Sequence, residues 1–293
     1  MPAMLADYPQ TSPLTIELRP LLHPLFRQLR EGISEFTFAN LYLFRATHRY
    51  SVTALADGTI ALLGRDGARA FFMLPFALPE AGLLNTLFHD HGMLKCASAA
   101  QARILAQQGY RIEEDRNNFD YLYRRQDLAL LGGRNYHKKR NLIKAFTRSH
   151  AFSAKPLRTE LREDALRVLE DWRRGAEEGG DYEAAREAVV LMDPLQLCGG
   201  IYYVESQPVA FVLGEELAGG ASYAIHFEKA VPGYKGLYQF INQSFAAVLP
   251  EEYATINREQ DLGDQGLRQA KMSYLPAGFV EKFKIYPEDS PSF

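Results

Sequence analysis

Residues 222–261 read SYAIHFEKAVPGYKGLYQFINQSFAAVLPEEYATINREQD, and this stretch decides the fold. Over residues 222–228, large apolar side chains alternate with small or polar ones, which is typical of a β-strand with two different faces. Apolar residues recur at helical spacing over residues 237–249, and Pro250 ends that helix. Residues 255–260 return to a strand pattern. A strand–helix–strand crossover of this kind gives two parallel strands in one sheet.

Further helices and strands surround this unit in an order that indicates one fold. The predicted elements around it are helices at 161–174, 182–191 and 264–274, and strands at 201–204, 209–214 and 283–286. Three consecutive strands followed by a strand–helix–strand crossover give a mixed sheet flanked by helices. This order matches the acetyltransferase-type (GNAT) fold.

The first half of the chain has the same theme in a less regular form. Two alternating runs flank Asp57-Gly58, a dipeptide that favours a hairpin turn. The predicted elements are strands at 50–55, 59–63 and 68–74, and helices at 83–89 and 99–108. The sequence therefore predicts an α+β (mixed α/β) protein of two tandem GNAT-like acyltransferase domains, each a mixed sheet flanked by helices.

We predict that the domain boundary lies near residue 149. Residues 1–149 would form an N-terminal GNAT-like domain with a structural role, which ends in a basic helix. Residues 150–293 would form a C-terminal GNAT-like domain that carries the active site, with residues 151–159 as the link. The predicted strands of the first half end in apolar or turn residues, so the convergent polar groups that a site needs are expected only in the second half.

Composition excludes several classes of protein. Of 293 residues, 47% are hydrophobic and 24% are charged, which is typical of a globular protein. The 33 basic and 36 acidic residues give a net charge of −3, so a wholly basic nucleic-acid coat protein is excluded. Cys96 and Cys198 belong to no pair motif, so neither a disulfide framework nor a metal site is expected. No apolar run approaches the ~20 residues of a membrane span, and we expect a cytoplasmic protein, free or peripheral to a membrane.

The strongest chemical signal lies at the end of the strand predicted at 255–260. The consecutive residues there are Asn257, Arg258, Glu259, Gln260 and Asp261. A central strand is normally apolar throughout, and burying such a run without a function would be costly. Arg268 and Lys271 then share one face of the next helix. The alternative explanation is a structural network of salt bridges.

A second signal is the pair His226 and Glu228, which alternation places on the same face of their strand. Ligands bind near the carboxyl ends of strands in open α/β sheets. The alternative explanation is an edge strand with a solvated polar face. We predict that one cavity is lined by His226, Glu228, Asn257, Glu259 and Asp261.

The loop at residues 229–236 leads into the helix at 237–249. Backbone N–H groups at a helix start attract anions, so Gly233, Lys235 and Gly236 are candidate phosphate or cofactor ligands. The acetyltransferase pyrophosphate loop has Arg or Gln followed by Gly-x-Gly or Gly-x-Ala, whereas here the two glycines are three residues apart. The alternative explanation is an ordinary connecting loop.

A basic amphipathic helix is predicted before residue 149, with no acid among its cations. These cations are Lys138, Lys139, Arg140, Lys144 and Arg148. We predict that they form a largely exposed patch that contacts the phosphate backbone of a nucleic acid, which needs no sequence specificity. The alternative explanation is an ordinary solvated face.

Several of these segments together resemble one protein family. They are YLYRRQDL (121–128), YHKKRN (136–141), IHFEKA (225–230), INREQDLG (256–263) and GLRQAKMSYLP (266–276). The chain resembles proteins related to the C-terminal domain of phosphatidylglycerol lysyltransferases, from about residue 15 to residue 286. That family is a tandem pair of GNAT-like domains and is similar in plan to the Fem-type peptidoglycan aminoacyltransferases.

The resemblance implies a donor, an acceptor and a pocket. Characterised members take an aminoacyl group from charged tRNA and place it on a lipid hydroxyl. The pocket would then include Asp261, Arg268 and Lys271, with Asn257, Arg258 and Tyr274 as further substrate-binding residues, and the basic segment 138–148 would hold tRNA. The sequence does not contain the membrane-spanning half of the lipid-modifying enzymes, so a small amine or hydroxyl acceptor stands beside the lipid.

The predicted function is acyl transfer, with aminoacyl-tRNA as donor and no required cofactor. Glu259 or Glu228 is the candidate base, with His226 as the next candidate. Arg258, Arg268 and Lys271 would position a carboxylate or phosphate, or stabilise developing charge. Two alternatives belong to other classes: an acyl-CoA-dependent N-acetyltransferase, and a non-catalytic module that binds tRNA or another ligand.

Overall fold

The computed structural model describes residues 4–175 and 180–288 of the protein, which form two structural units. Among the described residues, the first unit comprises 4–120, 260–264 and 279–288, and the second comprises 121–259 and 265–278. Each unit is built on a seven-stranded mixed sheet with helices packed against it. The predicted fold class, two tandem GNAT-like domains, is confirmed.

The strands and helices of the described residues follow in chain order. The strands are β1 (Ser12–Pro13), β2 (Ser51–Ala54), β3 (Ile60–Asp66), β4 (Arg69–Met73), β5 (Leu94–Ala97), β6 (Arg111–Glu114), β7 (Asp120–Arg124), β8 (Phe152–Pro156), β9 (Cys198–Val204), β10 (Gln207–Leu217), β11 (Ser222–Ala230), β12 (Thr255–Asn257), β13 (Gly278–Val280) and β14 (Phe283–Tyr286). The helices are α1 (Arg19–Phe26), α2 (Phe38–Leu43), α3 (Arg45–His48), α4 (Ala81–His91), α5 (Ala99–Gln107), α6 (Arg125–Leu130), α7 (His137–Ser149), α8 (Arg162–Arg174), α9 (Tyr182–Val190), α10 (Met192–Leu195), α11 (Leu237–Val248) and α12 (Gln265–Met272).

The two sheets have corresponding strand orders. The first is ordered β1-β2-β3-β4-β5-β14-β6, and the second, from the opposite edge, is ordered β8-β9-β10-β11-β12-β7-β13. In each sheet the fourth and fifth strands are parallel and are joined by a helix, α4 in the first and α11 in the second. This is the strand–helix–strand crossover predicted from residues 222–261.

The structural boundary differs from the predicted one at residue 149. β7 pairs with β12, with Tyr123 opposite Ile256, so β7, α6 and α7 belong to the second unit. β14 pairs with β5 and β6 and belongs to the first unit. Each sheet therefore contains a strand from the half of the chain expected to build the other domain. Short strands carry no sequence mark of their partner, which is why the boundary was expected near residue 149.

The segment expected to link the domains, 151–159, also differs from its prediction. Residues 152–156 form β8, which pairs with β9 at the edge of the second sheet. All five of its residues are exposed, so it lacks the apolar face that marks a strand in sequence. A polar, Pro-containing edge strand of this kind is common because it discourages pairing with another chain.

Local hydrogen bonds define the predicted hairpin turn and the start of one helix in the first unit. β2 and β3 pair through the Asp57-Gly58 turn, where Gly58 has φ 84° and an Asp57 carboxylate oxygen accepts from the Thr59 amide at 2.9 Å. Ser98 begins α5 with a capping box, in which its hydroxyl accepts from Gln101 N–H while the Gln101 side chain accepts from Ser98 N–H.

No helix of the described ranges is both long enough and apolar enough to cross a bilayer.

The core of the first unit lies between its sheet and helices α4 and α5. Its buried members are almost all aliphatic or aromatic: Leu55, Ala61, Leu63, Phe72, Leu74, Leu84, Leu87, Phe88, Leu94, Ala97, Ala102, Leu105 and Ile285. Ile285 of β14 belongs to this cluster, which explains why the last strand stays with the first unit.

Candidate functional site

β11 and β12 separate at the position where the sequence becomes polar. They pair over three residues only, Ser222 opposite Thr255 to Ala224 opposite Asn257. β11 then continues to Ala230, whereas the chain after β12 stays bonded to β7: Arg258 N–H donates to Tyr121 O, and Tyr121 N–H donates to Glu259 O. The separation leaves an opening in the sheet beyond Ala224 and Asn257, between residues 226–230 of β11 and residues 258–259.

A β-bulge lies on β11 at this opening. Phe227 is opposite Leu213 and Ile225 is opposite Gly214, so His226 is one extra residue relative to β10. A bulge breaks the regular alternation of side chains. Glu228 lies opposite Val212, whereas the His226 ring bonds to Glu215, three residues further along β10 and therefore on the other sheet face.

Glu228 belongs to a buried pair on the face covered by α11. The Arg258 guanidinium donates to Glu228 at 3.3 Å, and the Asn242 amide of α11 donates to both Glu228 oxygens at 2.7 and 2.8 Å. Burial raises the pKa of Glu228, and the opposing effects of Arg258 and Asn242 do not cancel this. Glu228 is therefore a more basic carboxylate than an exposed glutamate.

His226 belongs to a separate buried cluster. Its two ring nitrogens lie 2.7 Å from a Glu259 oxygen and 3.0 Å from a Glu215 oxygen. Burial lowers the pKa of His226, but the hydrogen bonds and charges of the two carboxylates outweigh it and raise the pKa to about 10. The imidazolium therefore keeps both protons at neutral pH and is unsuited to the role of general base.

The prediction of one cavity is therefore wrong in this form. Glu228 and Arg258 meet on one face of the sheet, and His226 and Glu259 meet on the other. The physical reason is the bulge at His226, which the alternating sequence did not reveal. Of the candidate bases, Glu228 is the one whose environment fits the role.

The side chains of Asn257 and Lys271 bond to the backbone of residues 258–259. The Asn257 side chain is fully buried and accepts from Glu259 N–H at 2.8 Å, which holds Glu259 at φ 54°. The Lys271 ammonium donates to the carbonyls of Arg258 and Glu259, at 2.5 and 3.1 Å. Both residues fix the backbone of residues 258–259, where the chain after β12 separates from β11.

Tyr274 lies beside Arg258. Its buried ring is 5.2 Å from the Arg258 guanidinium carbon and 3.5 Å from the Lys139 nitrogen, measured to the ring centroid. Tyr136 hydroxyl donates to Tyr274 O at 2.9 Å, and Tyr123 packs edge-on against the ring. Lys139, on the basic helix, is thus part of the same cluster as Arg258.

Asp261 is not part of this cluster. Asp261 is fully buried in the first unit, where its carboxylate accepts from Gly263 N–H at 2.9 Å and lies 3.5 Å from Arg116. It caps the turn after Gln260. Arg268 is partly exposed on α12.

The two glycines of the loop before α11 have different structural reasons. Gly236 has φ 91°, and a Cβ there would lie 2.3 Å from Leu142 O of α7. Gly233 has φ 96° with open space around it, as a turn glycine. Lys235 is exposed. The close approach of α7 accounts for Gly236 without a phosphate.

The basic helix is α7, and its cations differ in exposure. Lys138, Lys144 and Arg148 are exposed, as predicted. Arg140 is half-buried, because its guanidinium donates to the carbonyls of Leu131 and Gly133. Lys139 is also half-buried. The expected patch therefore has three exposed cations and two that contact the protein.

Sequence reasoning missed Glu215 and Asn242. Glu215 follows a run of buried apolar residues on β10, and that abrupt change to a charge was the available signal. Asn242 interrupts the buried face of α11 beside Phe240 and Ile241, where an amide needs a polar partner.

The fold defines a class, a tandem GNAT-like protein, whose second unit carries charged side chains where β11 and β12 separate. A family model described as "Phosphatidylglycerol lysyltransferase, C-terminal" matches residues 26–286. The chain belongs to this family, as the resemblance in its sequence indicated.

Two solved structures are similar to this chain. A conserved protein of unknown function from Bacteroides thetaiotaomicron is 27% identical, with a TM-score of 0.86 over 94% of this chain and 99% of that one. L-PGS from Bacillus licheniformis shares the fold at 14% identity, with a TM-score of 0.64 over 99% of this chain and 95% of that one.

A curated relative matches over a shorter region. An uncharacterized protein of Mycoplasmoides gallisepticum is 25% identical over 183 residues, which are 59% of this chain. The match spans 57% of the length of that relative.

Proposed function

We propose that this protein transfers an aminoacyl group from an aminoacyl-tRNA to a hydroxyl or amine acceptor, with a lipid hydroxyl as the first acceptor to test. One observation carries the proposal: the cationic helix α7 contacts the Glu228–Arg258 site through Lys139, at the ring of Tyr274. Membership of the phosphatidylglycerol lysyltransferase C-terminal family supports it.

The donor binds along α7 in this proposal. Lys138, Lys144 and Arg148 are exposed, and such cations attract an RNA backbone without reading its sequence. Because Lys139 lies beside Arg258, an RNA end that reaches the first turn of α7 also reaches the Glu228–Arg258 pair. In this proposal, the α7 cations and the Glu228–Arg258 pair therefore bind two parts of the same tRNA.

The reaction is the exchange of one ester bond for another ester or an amide. The acceptor oxygen or nitrogen forms a bond to the carbonyl carbon of the aminoacyl ester, and the bond from that carbon to the tRNA ribose oxygen breaks. The acceptor loses a proton and the ribose oxygen gains one. Because the ester is already activated, the protein has to align the reactants, transfer the proton and stabilise the oxyanion, and no cofactor is required.

Glu228 is the proposed base. Its raised pKa makes it a better proton acceptor than an ordinary glutamate, and Asn242 fixes its orientation. Arg258 is the proposed electrostatic partner, which stabilises the negative charge that develops on the carbonyl oxygen. Lys271 and Asn257 position Arg258 through the backbone.

The first test is a transfer assay with a matched pair of variants. Total tRNA charged with labelled amino acids would be mixed with the protein and with phosphatidylglycerol vesicles or small amines. We expect label in an acceptor fraction, reduced about 10²- to 10⁴-fold by Glu228→Gln. Glu251→Gln makes the same chemical change at a side chain that is 93% exposed, and it should leave the rate unchanged.

Three outcomes of this assay argue against the proposal. Equal rates for both variants would remove Glu228 from the reaction. Transfer from acetyl-CoA, together with calorimetric binding of CoA, would favour the N-acetyltransferase alternative. Binding of tRNA without transfer to any acceptor would favour a non-catalytic module.

A further inference from the structure

Lys139 differs from the other cations of α7. Its ammonium donates to Ser273 hydroxyl at 2.8 Å and lies 3.5 Å from the centroid of the Tyr274 ring. In residues 4–175 and 180–288, no carboxylate lies within 4 Å of this ammonium. A half-buried ammonium without a counter-charge is disfavoured, because burial removes the water that stabilises the charged form and no carboxylate compensates for that loss.

A second cation lies at the same ring. The Arg258 guanidinium carbon is 5.2 Å from the centroid of Tyr274, and the charge of Glu228 is engaged by Arg258 and Asn242. Burial lowers the pKa of Lys139 to about 8, and the charge of Arg258 adds to this effect. Lys139 and Arg258 therefore place an excess of positive charge beside the Tyr274 ring, where access to water is reduced.

The positions of these groups favour an anion of a particular kind. An ammonium and a guanidinium near one aromatic ring can bind a phosphate oxygen each. The exposed Lys138 and Lys144 continue the positive surface along α7. A phosphodiester within an RNA strand fits this continuation better than an isolated small anion does.

We propose that Lys139 binds a phosphodiester in the 3′-terminal CCA of the donor RNA, and so places the aminoacyl ester at Glu228 and Arg258. This inference rests on the proposed function, since it assigns the RNA end to the same site. It separates Lys139 from the other α7 cations: Lys139 recognises the terminus, whereas Lys138, Lys144 and Arg148 contact the backbone further along.

The experiment compares two RNAs and three proteins. Binding of uncharged tRNA with an intact CCA end, and of the same tRNA without it, would be measured for wild type, Lys139→Gln and Lys138→Gln. Wild type should bind the intact RNA more tightly. Lys139→Gln should weaken intact binding about ten- to a hundredfold, the range for a charge-assisted hydrogen bond, and leave binding of the trimmed RNA unchanged. Lys138→Gln should weaken both RNAs equally and only a few-fold.

The outcomes distinguish this inference from the function on which it rests. If wild type binds neither RNA, the proposed function fails, and this inference fails with it. If wild type prefers the intact RNA and Lys139→Gln has the same preference, this inference alone is overturned.

A lipid arm and a folding control complete the design. Vesicles of phosphatidylglycerol and of phosphatidylcholine would be sedimented with the same proteins. Loss of phosphatidylglycerol binding in Lys139→Gln with RNA binding intact would assign the phosphate to a lipid headgroup and overturn the inference. Lys139→Arg retains the charge, so it should restore most of the CCA preference, while an unchanged melting temperature confirms that each variant folds.

Discussion

The two sheets contain the same crossover with opposite chemistry at its open end. In the first unit, β4 and β5 pair only at Phe72 and Leu94, and the buried strand ends are apolar at Met73 and Ala97. In the second, the corresponding strands β11 and β12 also separate early, but they present Glu228 and Arg258 at the opening. The same topology therefore gives buried apolar strand ends in the first unit and a buried charged pair in the second.

The first unit nevertheless contains a charged cluster, which sequence reasoning did not expect there. Lys282 is fully buried between the carboxylates of Glu35 and Asp120. Ser34 hydroxyl donates to Asp120, and the Gln260 amide donates to Glu35, both at 2.9 Å. These groups satisfy one another, unlike Lys139 in the second unit. Convergence of polar groups therefore does not by itself mark a site.

The largest expected effect tests whether the first-unit cluster is structural. Lys282→Met removes the cation and leaves Glu35 and Asp120 without their buried counter-charge. We expect a loss of about 3–5 kcal/mol in the free energy of unfolding, measured by denaturant titration. Donor binding and transfer, measured well below the melting temperature, should stay within a few-fold of wild type.

Lys284→Met is the matched control for this variant. Lys284 pairs with the buried Asp115 at 2.9 Å, but Lys284 is 30% exposed and the Asn118 amide also donates to Asp115, so the expected cost is smaller, about 1–2 kcal/mol. If Lys282→Met abolished transfer and left stability unchanged, the cluster would be functional and the contrast between the units would fail.

Much of the second unit could be predicted from sequence because its elements have clear periodicity. The helix predicted at 237–249 is α11, Leu237–Val248, and the strand predicted at 222–228 lies within β11, Ser222–Ala230. Helices α8 and α9 also lie within a residue of their predicted bounds. Period and turn chemistry are local, so these features can be read from the chain.

The details of the site depended on non-local geometry. The bulge at His226 is visible only against β10, and it decides that Glu228 and Glu259 lie on opposite faces. The polar run from Asn257 to Asp261 was expected inside a strand at 255–260, but β12 ends at Asn257 and the rest of the run follows it. Its members have different roles, because β7 draws the chain away from β11 and Asp261 joins the first unit. No pattern within the run encodes those partners.

The next effect in size tests whether His226 is a fixed cation. Its pKa is raised from 6.5 to about 10, so the stabilisation is complete below pH 6.5 and is lost as the pH rises towards 10. Between pH 7 and 10, the wild-type free energy of unfolding should therefore fall relative to that of His226→Gln, by up to about 1.4 kcal/mol per pH unit. Chemical denaturation across this range measures the difference.

Subtracting the two curves cancels other groups that titrate in this range, including Lys139. Glu215→Gln removes one of the two carboxylates that stabilise the imidazolium. It should therefore lower the pKa of His226, so that the fall in stability ends at a lower pH and is smaller in total. Parallel curves for wild type and His226→Gln would show that His226 is neutral at pH 7, and it would then return as a candidate base.

The smallest effect concerns the loops that lead into α4 and α11. The loop at residues 74–80 of the first unit has two prolines and no glycine, whereas the loop before α11 has Gly233 and Gly236, both at positive φ. Gly233→Ala should cost about 1 kcal/mol in stability, because only its backbone conformation is disfavoured.

Gly236→Ala should cost about 1–2 kcal/mol more than that, because its new methyl would also lie 2.3 Å from the Leu142 carbonyl and α7 would have to shift. The displaced helix carries Lys139, so the preference for an intact CCA end should weaken in Gly236→Ala and persist in Gly233→Ala. Thermal melting and the RNA comparison measure the two effects. Equal costs for the two substitutions would mean that α7 does not pack tightly on this loop, and Gly236 would again be a candidate phosphate ligand.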